Sequence, residues 1–351
     1  MREIGSEFWT VENENGAGLK SLLPYESNAI YTLSGRTSQD IIIKDVLSQK
    51  SVKSVYMPSY CCDSMIEPFL QNGLSVEYYD VFATEAGICC DFNENKCDVV
   101  FLINYFGFID DRVLEFARTE HDKGKTVIYD ATHSMFCNGV DYSDCDYVFG
   151  SFRKWMGINA GFASKKGDWI NKPILKQFDR YVELRNNSFD MKAKYITAPK
   201  EVEKNIFFSA FREAEELLDR DYTNYAPDKR SLNLLDTVDV SKIRETRRKN
   251  AKCLMKALDK CRNVNMPYTV ITEKECPLFV PVMIQGERNR IHEYLIDNGI
   301  YLPIHWPISE LHKLNSTTRS IYDEEMSCVC DQRYTEEDMV RIGTTIKNMS
   351  Y

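Results

Sequence analysis

The chain has 351 residues, 43% of them hydrophobic, and a formal charge of −9 at neutral pH. This length exceeds one small domain, so we expect a large domain over residues 1–235 and a smaller one over residues 236–351. A mean hydropathy of −0.40, with no apolar run near the ~20 residues that span a bilayer, argues against a membrane protein. The acidic balance, without a concentrated basic face, argues against a nucleic-acid partner.

The cysteines and the first residues bear on the compartment. The opening segment, MREIGSEFWTVENENG, lacks the apolar core of a signal peptide, which predicts a cytoplasmic protein. Twelve cysteines include the adjacent pair Cys61 and Cys62 and the close pair Cys328 and Cys330, but no two matching C-x-x-C motifs. We therefore expect no metal site and mostly reduced, buried thiols.

Short apolar runs typical of strands come first in the chain. They are SVYMP (54–58), VEYYDV (76–81), DVVFLIN (98–104), TVIYD (126–130) and DYVFG (146–150). Segments with helical spacing and a terminal glycine separate them, among them DSMIEPFLQNG and DRVLEFARTEHDKG. This alternation predicts an α/β fold with a large, mostly parallel sheet.

The pattern changes after about residue 165. Long charged helical stretches follow, EVEKNIFFSAFREAEELLDRD and VSKIRETRRKNAKCLMKALDKC. A last unit, CPLFVPVMIQ followed by NRIHEYLIDNGIYLPIHWP, reads strand, helix, strand. It predicts the smaller C-terminal α/β domain.

Polar residues follow three of the predicted strands. Asn104 and Asp130 each end a strand, and Ser151 and Lys154 come just after a third. Ligands of parallel sheets bind beyond the carboxyl ends of the strands, so we expect all four to face one crevice. Taken alone, Asp130 is more typical of an ordinary helix cap at a strand-to-helix turn.

A lysine and a carboxylate at one crevice favour a particular cofactor chemistry. A lysine amine condenses with an aldehyde to a Schiff base, and pyridoxal phosphate is the commonest cofactor held in this way. Its pyridine nitrogen must stay protonated, which requires a carboxylate partner. We therefore predict Lys154 as the Schiff-base residue and Asp130 as the partner of the ring nitrogen.

The cofactor's phosphate requires a helix N-terminus with amide and hydroxyl donors. The segment LSGRTSQDIIIKDVL (33–47) offers Gly35, Arg36 and Thr37 just before an apolar helical run. Ser151 adds a hydroxyl. Ser-Gly-Arg-Thr is also a common helix-capping sequence. The prediction therefore rests on the order along the chain of this phosphate-binding segment, Asp130 and Lys154.

Six segments in this order resemble the DegT/DnrJ/EryC1/StrS group of fold-type I pyridoxal-phosphate enzymes, the sugar aminotransferases. They are SGRTSQDIII, MPSYCCDSMIEPFLQNG, YDATHS, GSFRKWMG, IRETRRKNAKCLMKAL and DNGIYLPIHWP. The resemblance covers nearly the whole chain. It implies a fold-type I transferase with a large sheet domain and a smaller C-terminal α/β domain.

The resemblance also implies further site residues. His133 and Tyr60 would fix the cofactor ring, and Asn104 would reach the ring oxygen. His133 on its own is more typical of a hydrogen-bonded buried histidine than of a functional one. His305 would line the substrate side, although a structural HWP turn accounts for it as well.

The chain departs from the family pattern at three places. The serine expected five residues before the lysine is Phe149 here, with Ser151 at three. The glycine-rich loop after the lysine is reduced to GINAGF (157–162). The stacking aromatic position falls nearest Cys62, so either Tyr60 takes this role or the ring is held differently.

The sequence thus predicts a pyridoxal-phosphate aminotransferase that moves an amino group, with glutamate as donor, to a keto-sugar that is nucleotide-linked. Its setting would be polysaccharide or secondary-metabolite biosynthesis. The alternatives are another pyridoxal-phosphate reaction, elimination or aldol cleavage, and a non-catalytic regulatory or binding homologue. The resemblance also implies a homodimer, to whose partner site the loop LRNNSFDMKAK (184–194) would contribute.

Overall fold

The computed structural model describes residues 2–9, 16–19 and 22–349. The chain forms two compact units. Unit 1 comprises Met1–Ser6, Val52–Cys145 and Ser241–Tyr351, and unit 2 comprises Glu7–Ser51 and Asp146–Val240. Each unit is made of separate segments of the chain, whereas the predicted boundary between residues 235 and 236 cuts the chain once. That boundary stays a prediction. Within the described ranges, no helix combines the length and apolar character needed to cross a bilayer.

The described residues contain these elements in chain order. The strands are β1 (Ile4–Gly5), β2 (Ile30–Thr32), β3 (Ser54–Pro58), β4 (Ser75–Thr84), β5 (Gly87–Asp91), β6 (Val99–Ile103), β7 (Thr126–Asp130), β8 (Tyr147–Ser151), β9 (Gly161–Lys165), β10 (Val264–Asn265), β11 (Phe279–Ile284), β12 (Ile300–Tyr301) and β13 (Glu325–Val329). The helices are α1 (Gly35–Gln49), α2 (Asp63–Gln71), α3 (Asp111–Asp122), α4 (Asp179–Thr197), α5 (Lys204–Arg220), α6 (Lys229–Thr237), α7 (Val240–Leu258), α8 (Arg288–Asp297), α9 (Ser316–Glu324) and α10 (Glu336–Met349).

Unit 1 is built on strands in the order β7-β6-β3-β4-β5. The first four run parallel, and β5 pairs with β4 in the antiparallel sense. Both β6 and β7 are buried at every position, which is typical of parallel strands covered by helices. Helix α3 connects these two strands and packs against both. The predicted α/β fold with a large, mostly parallel sheet is confirmed.

A smaller antiparallel sheet in unit 1 has the order β10-β11-β13. The predicted strand in CPLFVPVMIQ corresponds to β11, and the predicted helix that follows is α8. The strand predicted at the end of NRIHEYLIDNGIYLPIHWP is β12, which has only two residues and pairs with β1. Pro303 and Pro307 explain the early end, since proline cannot donate a ladder hydrogen bond.

Unit 2 contains the antiparallel strand order β2-β9-β8, with α1 packed against β8 and β9. Helix α1 begins after Ser34, whose hydroxyl oxygen accepts a hydrogen bond from the backbone N–H of Thr37 at 3.1 Å. Serine is a preferred N-cap residue, because its hydroxyl accepts one of the backbone N–H bonds that the first turn of a helix leaves unsatisfied. The apolar run Ile41–Ile43 is buried, so it fixes the helix on the strands.

The prediction of a loop over GINAGF was wrong at its end, because Gly161 and Phe162 lie in β9. Glycine at the start of a strand weakens the strand signal in the sequence. Position 161 has no room for a side chain. A Cβ at this position would lie 2.7 Å from the carbonyl carbon of Ser34 and 2.8 Å from the oxygen of Gly150. The start of α1 and the end of β8 therefore approach each other across this glycine.

The interpretation of residues 184–194 as a loop was also wrong, because this segment lies inside α4. Leu184, Ser188 and Phe189 recur at helical spacing and are buried. Helix α4 packs along α5, where a cluster of phenylalanine side chains fills the contact. Asparagine and serine are typical of loops, but here the buried face of the helix decides the structure. The contribution of this segment to a partner subunit stays a prediction.

Gly161→Ala tests the close approach of α1 to β8. We expect a loss of about 1–3 kcal/mol in the free energy of unfolding, because the new methyl group would overlap backbone atoms that cannot rotate away. Urea denaturation followed by circular dichroism measures this change. An unchanged midpoint would contradict the packing described for this corner.

Candidate active site

Lys154 lies in a short 3-10 turn, Phe152–Lys154, directly after β8. The side chains of Phe152 and Trp155 on either side of it are fully buried and fix the turn. Lys154 itself is partly exposed. Among the described residues, no hydrogen bond or ion pair involves its Nζ atom. Its amine is thus available for chemistry with a ligand.

Ser151, the last residue of β8, lies against the N-terminus of α1. A Cβ on Gly35 would be 3.0 Å from the Cβ of Ser151, so the missing side chain is what permits this contact. The first turn of α1 presents backbone N–H groups, and the helix dipole adds partial positive charge. Unit 2 therefore brings the predicted phosphate residues Gly35 and Ser151 together at the end of β8.

Arg36 adds a cation in the first turn of the same helix. Its Nη1 donates to Asp219 at 2.8 Å, and its guanidinium lies 5.4 Å above the ring of Tyr222. Its Nε is buried and has no hydrogen-bond partner in the described part of the chain. The hydroxyl of Thr37, in contrast, donates its proton to the carbonyl oxygen of Tyr222 at 2.8 Å. Arg36 retains a free donor for an anion, whereas Thr37 would have to break a bond to donate.

A charged network next to Lys154 was missed by the sequence analysis. Arg153 donates through Nη1 to the carboxylate of Glu215 at 2.6 Å and to the hydroxyl of Tyr181 at 2.9 Å. Arg185, which is almost fully buried, donates to the same carboxylate at 3.2 Å. Partial burial opposes ionisation of Glu215, but the two guanidinium groups lower its pKa to about 2. No local signal links these residues, because they come from three separate segments of the chain.

Asp130 and Asn104 lie at the carboxyl ends of neighbouring parallel strands in unit 1. Ile103, the last residue of β6, is in register with Asp130, so Asn104 follows directly beside it. Asp130 is buried, and its carboxylate accepts a hydrogen bond from the backbone N–H of Thr132 at 2.8 Å. The residues after it form turns rather than a helix, so Asp130 is not a helix cap. Asn104 donates to the hydroxyl of Tyr129 at 2.9 Å.

Aromatic rings surround His133, three residues beyond Asp130. The ring of His133 stacks on Trp306 at 5.8 Å and 25°, and its Nδ1 accepts from the backbone N–H of Phe106. Tyr60 is fully buried, lies 5.0 Å from the same Trp306 ring, and donates its hydroxyl to the carbonyl of His305 at 2.7 Å. Trp306 thus joins three predicted site residues. Its place in HWP is the only sequence signal that could have found it.

His305 is buried and fixed at both its backbone and its ring. Its backbone N–H donates to the carboxylate of Glu325 at 2.9 Å, and its Nδ1 lies 2.9 Å from the hydroxyl of Ser327. These bonds favour a structural role for the turn, and they leave the predicted substrate role a prediction. Neither Glu325 nor Ser327 was found from the sequence.

The predicted site residues therefore fall into two groups. In unit 2 the structure brings together Gly35, Arg36 and Ser151, and Lys154 follows three residues after that serine. In unit 1 it brings together Asn104 with Asp130, and Tyr60 with His133 and His305. That the two groups share one crevice stays a prediction.

Unit 2 fits a phosphate ester that also carries an aldehyde. A helix N-terminus, a serine hydroxyl and the buried Nε of Arg36, which no described residue hydrogen-bonds, suit the phosphate. The amine of Lys154, which pairs with none of the described residues, suits the aldehyde. The residues present are thus compatible with pyridoxal phosphate.

The cysteines and acidic residues do not form a metal site within the described residues. All twelve cysteines are free thiols. Burial raises the pKa of the Cys61 thiol well above its ordinary value, so this residue is an inert part of the core rather than a nucleophile.

No family model matches the sequence, and no curated protein matches it. Solved structures do match. The chain is similar to Helicobacter pylori PseC, an aminotransferase involved in the biosynthesis of pseudoaminic acid, with TM-score 0.67, 11% identity, and coverage of 99% of this chain and 100% of that one. It is also similar to DesI, solved with its TDP-sugar product (TM-score 0.62, 13% identity, 92% and 80% covered). A third match is NtdA of Bacillus subtilis, solved with its cofactor PMP (TM-score 0.60, 14% identity, 91% and 73% covered).

These matches extend over nearly the whole chain and, at such identities, establish the fold. The resemblance to the sugar aminotransferases predicted from the six motifs is confirmed at this level. The motif order was therefore informative although each motif alone was weak.

Glu215→Gln tests the network beside Lys154. A carboxyl whose folded pKa of about 2 lies below its ordinary 4.5 stabilises the fold above pH ~4.5, and this contribution disappears as the pH falls towards ~2. We expect the variant to lose about 1–2 kcal/mol of unfolding free energy at neutral pH, a modest value because the carboxylate is partly exposed. The difference from the wild type should shrink as the pH is lowered.

Urea denaturation over this pH range measures both effects. Glu216→Gln is the matched control, because its exposed carboxylate makes only long contacts of 4.0 and 3.8 Å to Arg212 and Arg220. A stability difference for Glu215→Gln that stays constant with pH would rule out the ion pairs as its cause.

Proposed function

We propose that this protein is a pyridoxal-phosphate-dependent aminotransferase that transfers an amino group, with glutamate as donor, to a nucleotide-linked keto-sugar. The observation that carries the proposal is the amine of Lys154, which has no hydrogen-bond or ion-pair partner among the described residues and follows the contact of Ser151 with the N-terminus of α1. The fold similarity supports it, since NtdA was solved with PMP and DesI with a TDP-sugar product. A homodimer is part of the proposal, and the predicted cytoplasmic location stays a prediction.

The cofactor, when bound, supplies an electron sink for the carbon atoms that react. In unit 2, the first N–H groups of α1, the hydroxyl of Ser151 and Nε of Arg36 would bind its phosphate. The helix dipole and the Arg36 charge both favour an anion there. Gly35 keeps the helix close enough to Ser151 for both to contact one phosphate.

Lys154 would first hold the cofactor covalently and then act on the substrate. Its freed amine would accept the proton that leaves Cα of the amino donor, as a general base, and return it later as a general acid. The buried Phe152 and Trp155 fix the backbone of the turn, so the Cα of Lys154 has a defined position from which the side chain extends. This restriction favours proton transfer, which requires hydrogen-bond distance between the groups.

Asp130 would hold a proton at the ring nitrogen. The backbone N–H of Thr132 donates to its carboxylate at 2.8 Å and orients it. Asn104, in register beside it, would reach the ring oxygen, and His133 and Tyr60 would fix the ring. The assignment of these residues and Lys154 to one cofactor rests on the order of the motifs and the fold similarity, and the following variants test it.

Lys154→Ala tests the covalent role. Borohydride reduction of the protein mixed with pyridoxal phosphate should fix the cofactor to a peptide containing Lys154 in the wild type and to no peptide in the variant. Transfer from glutamate should fall by about 10²–10⁴-fold, the contribution of a general base. Mass spectrometry and a coupled glutamate assay measure the two effects.

Lys166→Ala is the control, because this exposed lysine lies one residue past β9 in the same unit. It should retain both fixation and activity. A wild type that never fixes the cofactor would favour the non-catalytic alternative. Fixation without any glutamate half-reaction would favour elimination or aldol cleavage.

Asp130→Asn tests the proton at the ring nitrogen. The amide has the same shape but no negative charge, so we expect fixation at Lys154 to persist while the half-reaction rate with glutamate falls about 10²-fold or more. Asp141→Asn is the matched control, since Asp141 accepts from the N–H two residues on in the same way, at 2.9 Å, but is exposed. Equal rates for the wild type and Asp130→Asn would remove Asp130 from the proposed site.

A further inference from the structure

Glu325 is a fully buried carboxylate at the first position of β13. A buried charge is costly unless it is paired or hydrogen-bonded. Among the described residues, the only basic side-chain nitrogen within 4.0 Å of its carboxylate is Nδ1 of His305, at that limit. The guanidinium of Arg288 bonds the backbone oxygen of Glu325 rather than its side chain. The fold thus keeps a carboxylate in the core without a strong cationic partner.

The carboxylate is instead part of a hydrogen-bonded chain that ends on an imidazole. One oxygen of Glu325 accepts from the backbone N–H of His305 at 2.9 Å, and the other lies 2.5 Å from the hydroxyl of Ser327. The same hydroxyl lies 2.9 Å from Nδ1 of His305. Glu325 and Ser327 are two apart on one strand, so their side chains lie on one face. The chain runs from Glu325 through Ser327 to His305.

A serine hydroxyl has one proton, which links the two ends of this chain. When Glu325 is ionised, Ser327 donates to it and must accept from Nδ1–H of His305, which leaves Nε2 as the ring's acceptor. When Glu325 is protonated, it can donate to Ser327, whose own proton then goes to Nδ1. The neutral imidazole then carries its proton on Nε2.

We propose that Glu325 and Ser327 are positioning residues that set which ring nitrogen of His305 carries the proton, and thereby whether Nε2 accepts or donates a hydrogen bond. The consequence for catalysis rests on the proposed function, in which His305 lines the substrate side next to Trp306. A sugar hydroxyl can satisfy either form, whereas a carbonyl oxygen requires the Nε2–H donor. The proposal itself requires no bound cofactor.

The change is expected near neutral pH. Burial raises the pKa of Glu325 to about 7, although the hydrogen bonds from Ser327 and the backbone of His305 oppose the rise. The charged and titratable groups that act on it are Arg288 and Tyr60, and it acts in turn on Cys328 and on His305.

The test is nitrogen NMR of [¹⁵N]histidine-labelled full-length protein without added cofactor, titrated through neutral pH. The signals of His305 are assigned by their loss in His305→Gln. In the wild type we expect the neutral ring to change from the Nε2–H form at low pH to the Nδ1–H form at high pH. A tautomer that does not change with pH would overturn the proposal without any variant.

Glu325→Gln should hold the ring in the Nε2–H form at every pH, because its NH₂ group would face Ser327 while its oxygen keeps the bond from the backbone of His305. Ser327→Ala should remove the dependence on pH altogether. Glu324→Gln, the neighbouring and less buried carboxylate, is the matched control and should behave as the wild type. A pH-dependent tautomer that persists in Glu325→Gln, or that is lost in Glu324→Gln, would overturn the assignment.

The kinetic consequence is read separately. For a keto-sugar acceptor, Glu325→Gln should remove the pH dependence of KM near neutrality, with a change of about 3- to 10-fold, while kcat and cofactor fixation at Lys154 stay constant. Absence of the pH-dependent tautomer change in the wild-type protein overturns the role proposed for Glu325 and Ser327. If the wild type shows the tautomer change but Glu325→Gln leaves the pH dependence of KM unchanged, the role of Glu325 and Ser327 is supported and His305 does not contact the substrate.

Discussion

The contact between the start of α1 and the end of β8 is the constraint on which the candidate site in unit 2 depends. Gly35 and Gly161 lack the atoms that would hold the helix away, and Ser34 caps the helix at the point of contact. As a result, the positive end of the helix dipole lies beside Ser151, three residues before Lys154. The backbone and the two serines therefore form a corner whose partial positive charge suits an anion.

The charges around this corner are balanced rather than simply positive. Arg153 and Arg185 are both tied to Glu215, which keeps the carboxylate ionised and the two long side chains in place. Arg36 pairs with an exposed aspartate, and within the described part of the chain its buried Nε has no hydrogen-bond partner. The ion pairs of Glu215 thus fix the geometry, and Nε of Arg36 is a donor that the described residues do not use.

Unit 1 carries its polar groups in a dense aromatic environment. His133 and Tyr60 contact the same tryptophan, and Glu325 lies fully buried under the turn that contains His305. Buried polar groups lower the stability of a fold unless each is hydrogen-bonded, and sites of this kind are where proteins accept that cost for function. The hydrogen-bonded chain from Glu325 through Ser327 to His305 satisfies these groups.

Much of the fold could be predicted, because parallel strands are continuous apolar runs. The predicted runs ending at Pro58, Asn104 and Asp130 are strands in the structure, with bounds within a residue of the prediction. The short strands β2 and β9 and the hairpin strand β5 were not predicted. Their signals are weak, because Gly161 and Gly87 open β9 and β5 and because pairing with a distant partner, rather than local pattern, makes them strands.

The sequence by itself determined the α/β pattern, the lysine after β8, the aspartate that ends β7 and the order of motifs that matches a known group of enzymes, because each is a local pattern. Tertiary structure alone decided that Glu215 joins Arg153, that residues 184–194 are helical, and that Glu325 reaches His305 through Ser327. Charged residues such as these read as exposed in the sequence. Only packing against segments far away in the chain buries them and selects their hydrogen-bond partners.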